Sequence, residues 1–215
     1  MNTRDREIEG REPMVDLNVV LLPDSKTTDE LIALSESLGR QFPTVFTLDT
    51  KDHLPHLSLY PARYPLRNQG RVEEEIKTIA GSLQGMDVAL ERYSEFSGFV
   101  FFNALKDRAL QDLHDTVFAV LNDLREGQVS DVVVKLRGLT PQLRANVKRG
   151  GQVFIGEDYD PHITLGYIQD RELARHAITT LLKRPIQFIP SAIAIAPFAP
   201  YGACPKPLFT FPIGR

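Results

Sequence analysis

Cysteine is nearly absent from this chain: Cys204 stands alone among 215 residues. A disulfide within the chain and a zinc centre built from several cysteines are thereby excluded. Cys204 sits in Ala203-Cys204-Pro205 with no activating neighbour and reads as an inert thiol. An excess of positive charge is absent too. Lys plus Arg total 25 against 28 for Asp plus Glu, a formal charge of −3. A protein that coats duplex DNA by neutralising its phosphates is therefore excluded. Long apolar runs are missing as well. The most apolar late stretch, Ile186 to Ala199, is broken by Pro190 and Pro197 and is too short to span a bilayer. Residues 1–13 carry Arg4, Asp5, Arg6, Glu7, Glu9, Arg11 and Glu12. They lack the apolar centre of a signal peptide and read as a solvated tail before one folded domain at 14–215. A monomeric, cytoplasmic protein with no membrane partner is the expectation.

What is present is an ordinary globular composition, 42% hydrophobic and 25% charged, long enough to bury a core. Asp16 to Leu22 reads as a strand stopped by Pro23-Asp24. Thr28 or Asp29 caps a helix to about Leu38, with Gly39 as its stop. Phe42 to Leu48 and Leu57 to Tyr60 read as strands, and Arg71 to Leu83 as an amphipathic helix. Met86 to Phe96 and Gly98 to Leu105 form a strand pair around Ser97-Gly98. The clearest helix is Asp107 to Arg125, where Leu110, Leu113, Val117, Val120, Leu121 and Leu124 make the apolar stripe and Gly127 the end. Val132 to Leu136, Val153 to Ile155 and Ile163 to Ile168 read as extended, Arg171 to Leu182 as a helix, and Pro185 to Ala196 as a proline-bearing strand. Leu208 to Ile213 reads as an edge strand, where prolines are tolerated. The two half-chains share one order: strand, helix, histidine-bearing strand, helix, strand. The second half carries an insertion at about residues 129–152.

Two segments carry the chemistry. Pro55-His56-Leu57-Ser58-Leu59 and Pro161-His162-Ile163-Thr164-Leu165 both read Pro-His-apolar-hydroxyl-Leu. Side chains two apart on a strand share a face. His56 therefore pairs with Ser58, and His162 with Thr164, while Leu57, Leu59, Ile163 and Leu165 enter the core behind them. By composition alone, a matched pair arises among five histidines with a probability of about 0.004.

The two motifs resemble the signature of the 2H phosphoesterase superfamily, which includes bacterial 2′-5′ RNA ligase-like proteins and cyclic nucleotide phosphodiesterases. Its mark is a pair of H-x-[ST]-x motifs with apolar x. The resemblance implies an α+β fold of two pseudo-symmetric lobes, each an antiparallel sheet with helices, flanking a central cleft. It implies a partner that is a nucleotide or RNA end bearing a 2′,3′-cyclic phosphate or a 2′-5′ linkage. The chemistry also follows from the residues. Cleaving such an ester needs a base and an acid, and two imidazoles with a reference pKa of about 6.5 supply both near neutrality. The hydroxyls of Ser58 and Thr164 donate to phosphate oxygens where charge builds. No metal and no other cofactor is required.

Other residues carry weaker claims. Tyr60 and Tyr167 follow their motifs and are placed as substrate-binding residues that stack on a base, against the plainer role of packing at a strand end. Arg63 is placed as a phosphate contact, with Arg67 beside it, and solvated charge is the plainer role. The insertion holds Lys135, Arg137, Arg144, Lys148 and Arg149, then Gly150-Gly151, and reads either as a basic phosphate-contacting loop or as a solvated one. His53 reads as a loop residue, and His114 and His176 as solvated or capping helix residues. Three further functions compete: a non-catalytic RNA-binding phosphate clamp, an ATP-independent 2′-5′ RNA ligase, and a metallohydrolase using His53, His56 and His162 with Asp158 or Asp160. The last matches no H-E-x-x-H or facial-triad spacing.

Overall fold

The computed structural model describes residues 12–181 and 184–214. Residues 1–11 of the tail expected at 1–13, and the Leu182 end of the helix expected at 171–182, lie outside the described residues. Glu12 and Pro13 are held: Glu12 pairs with Arg67, and Leu66 N donates to Pro13 O at 2.8 Å.

Strand β1 (Met14–Leu22) leads into helix α1 (Ser25–Gln41). The cap is Asp24 rather than Thr28 or Asp29, since its carboxylate accepts from Thr27 N at 3.0 Å. Gly39 lies inside the helix instead of stopping it. A Cβ there would come within 2.7 Å of Thr47 Cγ2, so the glycine serves the close approach of segment 42–48. That segment is not a strand. It makes one bridge, Thr47 to Gly166, and is tied down by Ser35, whose Oγ accepts from Leu48 N at 2.8 Å and donates to Leu165 O at 2.5 Å.

Strand β2 (Leu57–Pro65), helix α2 (Gln69–Ser82), strands β3 (Val88–Phe96) and β4 (Phe99–Ala104) and helix α3 (Arg108–Leu121) follow. Ser97 and Gly98 join β3 to β4 with φ of 52° and 91°, the backbone that a two-residue hairpin turn demands. The insertion is helical: α4 (Asp131–Val134) and α5 (Pro141–Gly150). The valine run read as extended is turned into helix by its Ser130 cap and by burial of Val133. Residues 153–155 form no strand either. Strand β5 (His162–Tyr167) and helix α6 (Arg171–Thr180) come next. The single strand expected over 185–196 is two, β6 (Ile186–Phe188) and β7 (Ala192–Pro197), separated at Pro190. Strand β8 (Phe209–Pro212) is the expected edge strand.

All eight strands form one antiparallel sheet in the order β6-β3-β4-β5-β2-β1-β7-β8. It divides into two four-stranded halves that meet at one residue pair, Leu57 with Ile163. One face is covered by helices over a shared core of Leu, Ile, Val and aromatic side chains. The α+β architecture of two pseudo-symmetric halves, each offering one histidine strand, is the one expected. The half-chains nevertheless exchange elements. β3 pairs with β4 in the second half, β7 pairs with β1 in the first, α1 packs on β5 and α3 packs on β2. Neither half of the sheet is a product of one half of the sequence.

The halves share an irregularity that the motif itself sets. Val19 pairs with Tyr60 and Val20 with Ser58, leaving Leu59 as an extra residue; Val100 pairs with Gly166 and Phe101 with Thr164, leaving Leu165. Each histidine motif thus carries a β-bulge at its leucine. A bulge breaks the alternation of faces, and this one decides where the residues after the motif point. Among the described residues no helix is long and apolar enough to cross a membrane.

Candidate active site

The face of the sheet opposite the helices holds both motifs. Leu57 is paired with Ile163 and both enter the core. Extending that register by one residue sets His56 opposite Thr164 and Ser58 opposite His162, with all four on the cleft face. In an antiparallel pair, opposite Cβ atoms stand about 4.5–5.5 Å apart and diagonal ones about 7–8 Å. Each imidazole is therefore flanked by the hydroxyl of the other strand, and the two imidazoles lie on a diagonal.

Both rings are pinned in the same way. Nδ1 of His56 donates to Leu54 O at 2.8 Å, and Nδ1 of His162 donates to Asp160 O at 2.6 Å. A carbonyl only accepts, so each Nδ1 carries the hydrogen and each Nε2 is left for the cleft. His56 is buried, and that burial, together with the neighbouring His162 charge, pushes its pKa down to about 4 against the pull of Leu54 O. His162 is half-buried and also lowered, mainly by burial and less by Arg92. The Asp160 carbonyl and carboxylate oppose the shift. Asp160 is itself fixed: Asn103 Nδ2 donates to its two oxygens at 3.2 and 3.1 Å and Arg92 Nη2 to one at 3.1 Å. Phe101 stacks on His162 with ring centres 3.7 Å apart. On the other strand, Asn18 Nδ2 donates to Ser58 Oγ at 2.9 Å, which leaves the Ser58 hydroxyl hydrogen free to donate elsewhere.

The cleft between the halves has a volume of about 140 Å³. Besides the four motif residues, Phe96, Phe99, Phe101, Phe154, Phe198 and Tyr201 line it, and the insertion closes one side with Val132, Val133 and Leu136. Among the described residues, Asp160 is the one charged side chain in that lining other than the histidines.

The sequence model of the 2′-5′ RNA ligase superfamily matches residues 49–197, a span that contains both histidine strands. The chain belongs to this superfamily. No curated protein matches it by sequence. Among solved structures, TT0787 of Thermus thermophilus is similar in fold at 14% identity, a TM-score of 0.59 and coverage of 93% of this chain and 99% of that one. Escherichia coli LigT complexed with 3′-AMP gives 12% identity, a TM-score of 0.58 and coverage of 94% and 100%. The apo form of LigT gives 14% and 0.54 over 94% and 99%.

Set in this superfamily fold, the remaining sequence candidates separate. Tyr60 is not in the cleft. The bulge at Leu59 turns it to the helix face, where it is fully buried, packs edge-on against Phe118 and donates to Gly150 O at 2.7 Å. The bulge at Leu165 has the converse effect on Tyr167, one residue later in its motif. Tyr167 pairs with Phe99 and packs against Phe99 and Tyr201, both cleft residues. Arg63 is on the cleft side of β2 but is occupied. It donates to both oxygens of Asp16 at 3.0 and 2.8 Å and to Asp131 at 2.9 Å, so it fastens α4 to the sheet rather than facing a phosphate. The insertion likewise presents valines and a leucine to the cleft, not its cations. His114 is fully buried rather than solvated: its Nδ1 donates to Leu59 O at 2.7 Å, Gly156 N donates to its Nε2 at 3.0 Å, and Tyr159 stacks on it at 3.9 Å. Tyr159 in turn donates to Ser58 O at 3.0 Å. His176 is exposed, as expected. His53 is a loop residue that stacks on Phe46 and meets Asp49 at 3.3 Å. Asp158 accepts from Gln142 and Asn146. The ligand set considered for a metal is therefore dispersed, and among the described residues no group of three or more His, Cys, Asp or Glu could hold a metal ion.

Sequence reasoning misses Asn18, Asn103 and the phenylalanine wall. A signal for the wall is present: Phe99, Phe101 and Asn103 alternate along β4 and share the face of Thr164 and His162.

Proposed function

We propose that the protein is a phosphoesterase that cleaves a 2′,3′-cyclic phosphate or a 2′-5′ phosphodiester of a nucleotide or RNA by proton exchange between His56 and His162, without a metal. The superfamily is generally one of phosphoesterases and ligase-like enzymes. The observation that carries the reading is the matched presentation of two Nε2 atoms, each with its Nδ1 fixed on a carbonyl two residues upstream, beside two hydroxyls at one seam. LigT, which is similar in fold, has been crystallised with the nucleoside monophosphate 3′-AMP.

For hydrolysis of a cyclic phosphate, His56 is the base and His162 the acid. His56 has its pKa pushed down to about 4, and among the described residues no carboxylate is paired with it, so it is neutral near pH 7 and its Nε2 lone pair accepts a proton from water. The water oxygen bonds to phosphorus. The bond from phosphorus to the leaving ribose oxygen breaks, and that oxygen takes the proton from Nε2 of His162; burial lowers this histidine's pKa, and Asp160 works against that lowering to favour the protonated form. A nucleoside monophosphate leaves, His56 ends protonated and His162 neutral, and exchange with solvent resets the pair. Ser58 and Thr164 donate to the non-bridging oxygens as charge grows there. Every proton has a carrier, so no step needs a metal-bound water. Run in the same direction with the hydroxyl of a second nucleotide in place of water, the exchange opens the cyclic phosphate to a diester and is a ligation; the reverse of that step is cleavage of the diester.

The test is hydrolysis of 2′,3′-cyclic nucleotides and 2′-5′ dinucleotides in EDTA, beside His56→Ala and His162→Ala. EDTA-resistant activity that either substitution lowers by about 10²–10⁴-fold is expected. Full activity in both variants, or turnover abolished by EDTA, overturns the reading.

A further inference from the structure

The charges around the cleft bear on the size of the substrate. The cleft is walled by phenylalanines, and among the described residues its lining holds no lysine and no arginine. Its volume of about 140 Å³ falls below the roughly 300–1,000 Å³ of sites that enclose drug-sized ligands. Two further cavities open in sequence from its Asp160 end. The first, of about 330 Å³, shares Tyr159 and Asp160 with the cleft and is lined by Glu91, Glu157, Asp158 and Asp160 against Arg92 and Lys106. The second, of about 460 Å³, shares Lys106, Glu157 and Asp158 with the first and adds Asp115 and Arg149. The cations on this path already have partners: Arg92 on Asp160 at 3.1 Å, Lys106 on Glu157 O at 2.7 Å, and Arg149 over the Phe118 ring. A nucleic-acid strand needs a groove that tracks its backbone with positive charge. This path offers carboxylates in excess.

On the reading of the site given above, we infer that the substrate is a small ester with one phosphate, of the class of a single nucleoside 2′,3′-cyclic monophosphate, and that the end of an RNA strand is a poor substrate. One flat ring fits the phenylalanine walls, where stacking is indifferent to base identity. The single negative charge sits between two histidines and two hydroxyls. Every additional phosphate meets the acidic path and is repelled, so discrimination grows with phosphate number and fades as salt screens it.

The experiment compares kcat/KM of the full chain for a nucleoside 2′,3′-cyclic monophosphate, for the same compound with a 5′-phosphate, and for short oligoribonucleotides ending in a 2′,3′-cyclic phosphate, at low and high salt. The expected order is that in which they are named, with a span of about tenfold or more at low salt that narrows at high salt. Equal or better turnover of the oligoribonucleotides at low salt overturns the inference. Calorimetric titration of the same series separates this inference from the proposed activity. If nothing is cleaved, the activity fails, yet tighter binding of the mononucleotide still supports the selectivity, while tighter binding of the strand, or no binding at all, removes it. Glu91→Lys with Glu157→Lys, both exposed and outside the motifs, gives the converse. Oligoribonucleotide turnover should rise about three- to tenfold with the mononucleotide unchanged. An unchanged ratio contradicts the role of the acidic path.

Discussion

The two histidine strands are near copies in backbone and unlike in charge. Both rings anchor Nδ1 on the carbonyl two residues back, both motifs bulge at leucine, and both pair with the first strand of their own half-chain. On the His56 strand, however, Asn18 bonds Ser58, and Leu54, whose carbonyl holds His56, packs on an apolar cluster of Val20, Ala194, Ala196 and Cys204. Around His162 stand Asp160, Asn103, Arg92 and the Phe101 ring. A repeated backbone supplies two equivalent bases. The side chains of one repeat then make them unequal, as a reaction with a proton donor and a proton acceptor requires.

The largest test of this inequality is the pair of alanine variants. Each should lose about 10²–10⁴-fold in kcat/KM, but with opposite residual pH dependence. His56→Ala keeps only the requirement for a protonated His162 and loses activity as pH rises. His162→Ala keeps only the requirement for a neutral His56 and gains activity to a plateau. An aryl phosphodiester, whose leaving group needs no proton, should rescue His162→Ala and leave His56→Ala slow. Rescue of both variants alike would erase the distinction. In the intact protein burial lowers both histidines below the usual 6.5, so the bell of kcat/KM should lie on the acidic side of that value.

Stability gives the next test. His56 binds a proton less readily when folded, at a pKa of about 4, than when unfolded, at about 6.5. Between those values the unfolded chain holds more protons, so stability falls as pH falls, by about 3 kcal/mol in full. Urea unfolding at pH 7 and pH 4.5 should show a smaller loss for His56→Asn than for the parent. A loss of equal size in both would place the acid sensitivity in other groups, the half-buried His162, the buried His114 and the carboxylates, rather than in His56.

Asp160→Asn sharpens the comparison on the other strand. Without the carboxylate, His162 holds its proton less well, the alkaline limb of the pH profile moves to lower pH, and activity at pH 7 falls about tenfold. A merely structural Asp160 would lower the whole profile without moving it. The smallest effect belongs to Asn18→Leu. Removing its hydrogen bond to Ser58 should reduce kcat/KM about threefold at an unchanged pH profile. A shift of the profile in that variant would tie Asn18 to proton transfer instead.

The four motif residues are legible because two-residue alternation is reliable over the short run from His to hydroxyl. Beyond the hydroxyl it fails, since a bulge leaves no mark in the residue pattern, and alternation puts Tyr60 on the wrong face for that reason. His114 is misread despite a visible signal: it is four residues from Leu110 and three from Val117, on the buried stripe of α3. A polar residue there reads as solvated, although a neutral imidazole with both nitrogens bonded is at home in a core. Pro190 marks where the strand expected over 185–196 divides, but which sheet edge each piece joins depends on pairing across the whole chain. Arg63, beside a motif, looks available to a phosphate. Its carboxylate partners lie 47 and 68 residues away, beyond any local reading.

The eight strands are continuous only through Leu57 and Ile163. The sheet therefore has a waist, and the waist coincides with the chemistry. The core beneath is shared by both halves, and α1 and α3 each pack on a histidine strand, so the spacing of the two imidazoles is set jointly by this pair and by the helices behind it. On the function proposed above, a phosphate held by both strands would be a rivet across this waist, so stiffness of the molecule as a whole and occupancy of its smallest contact would rise together.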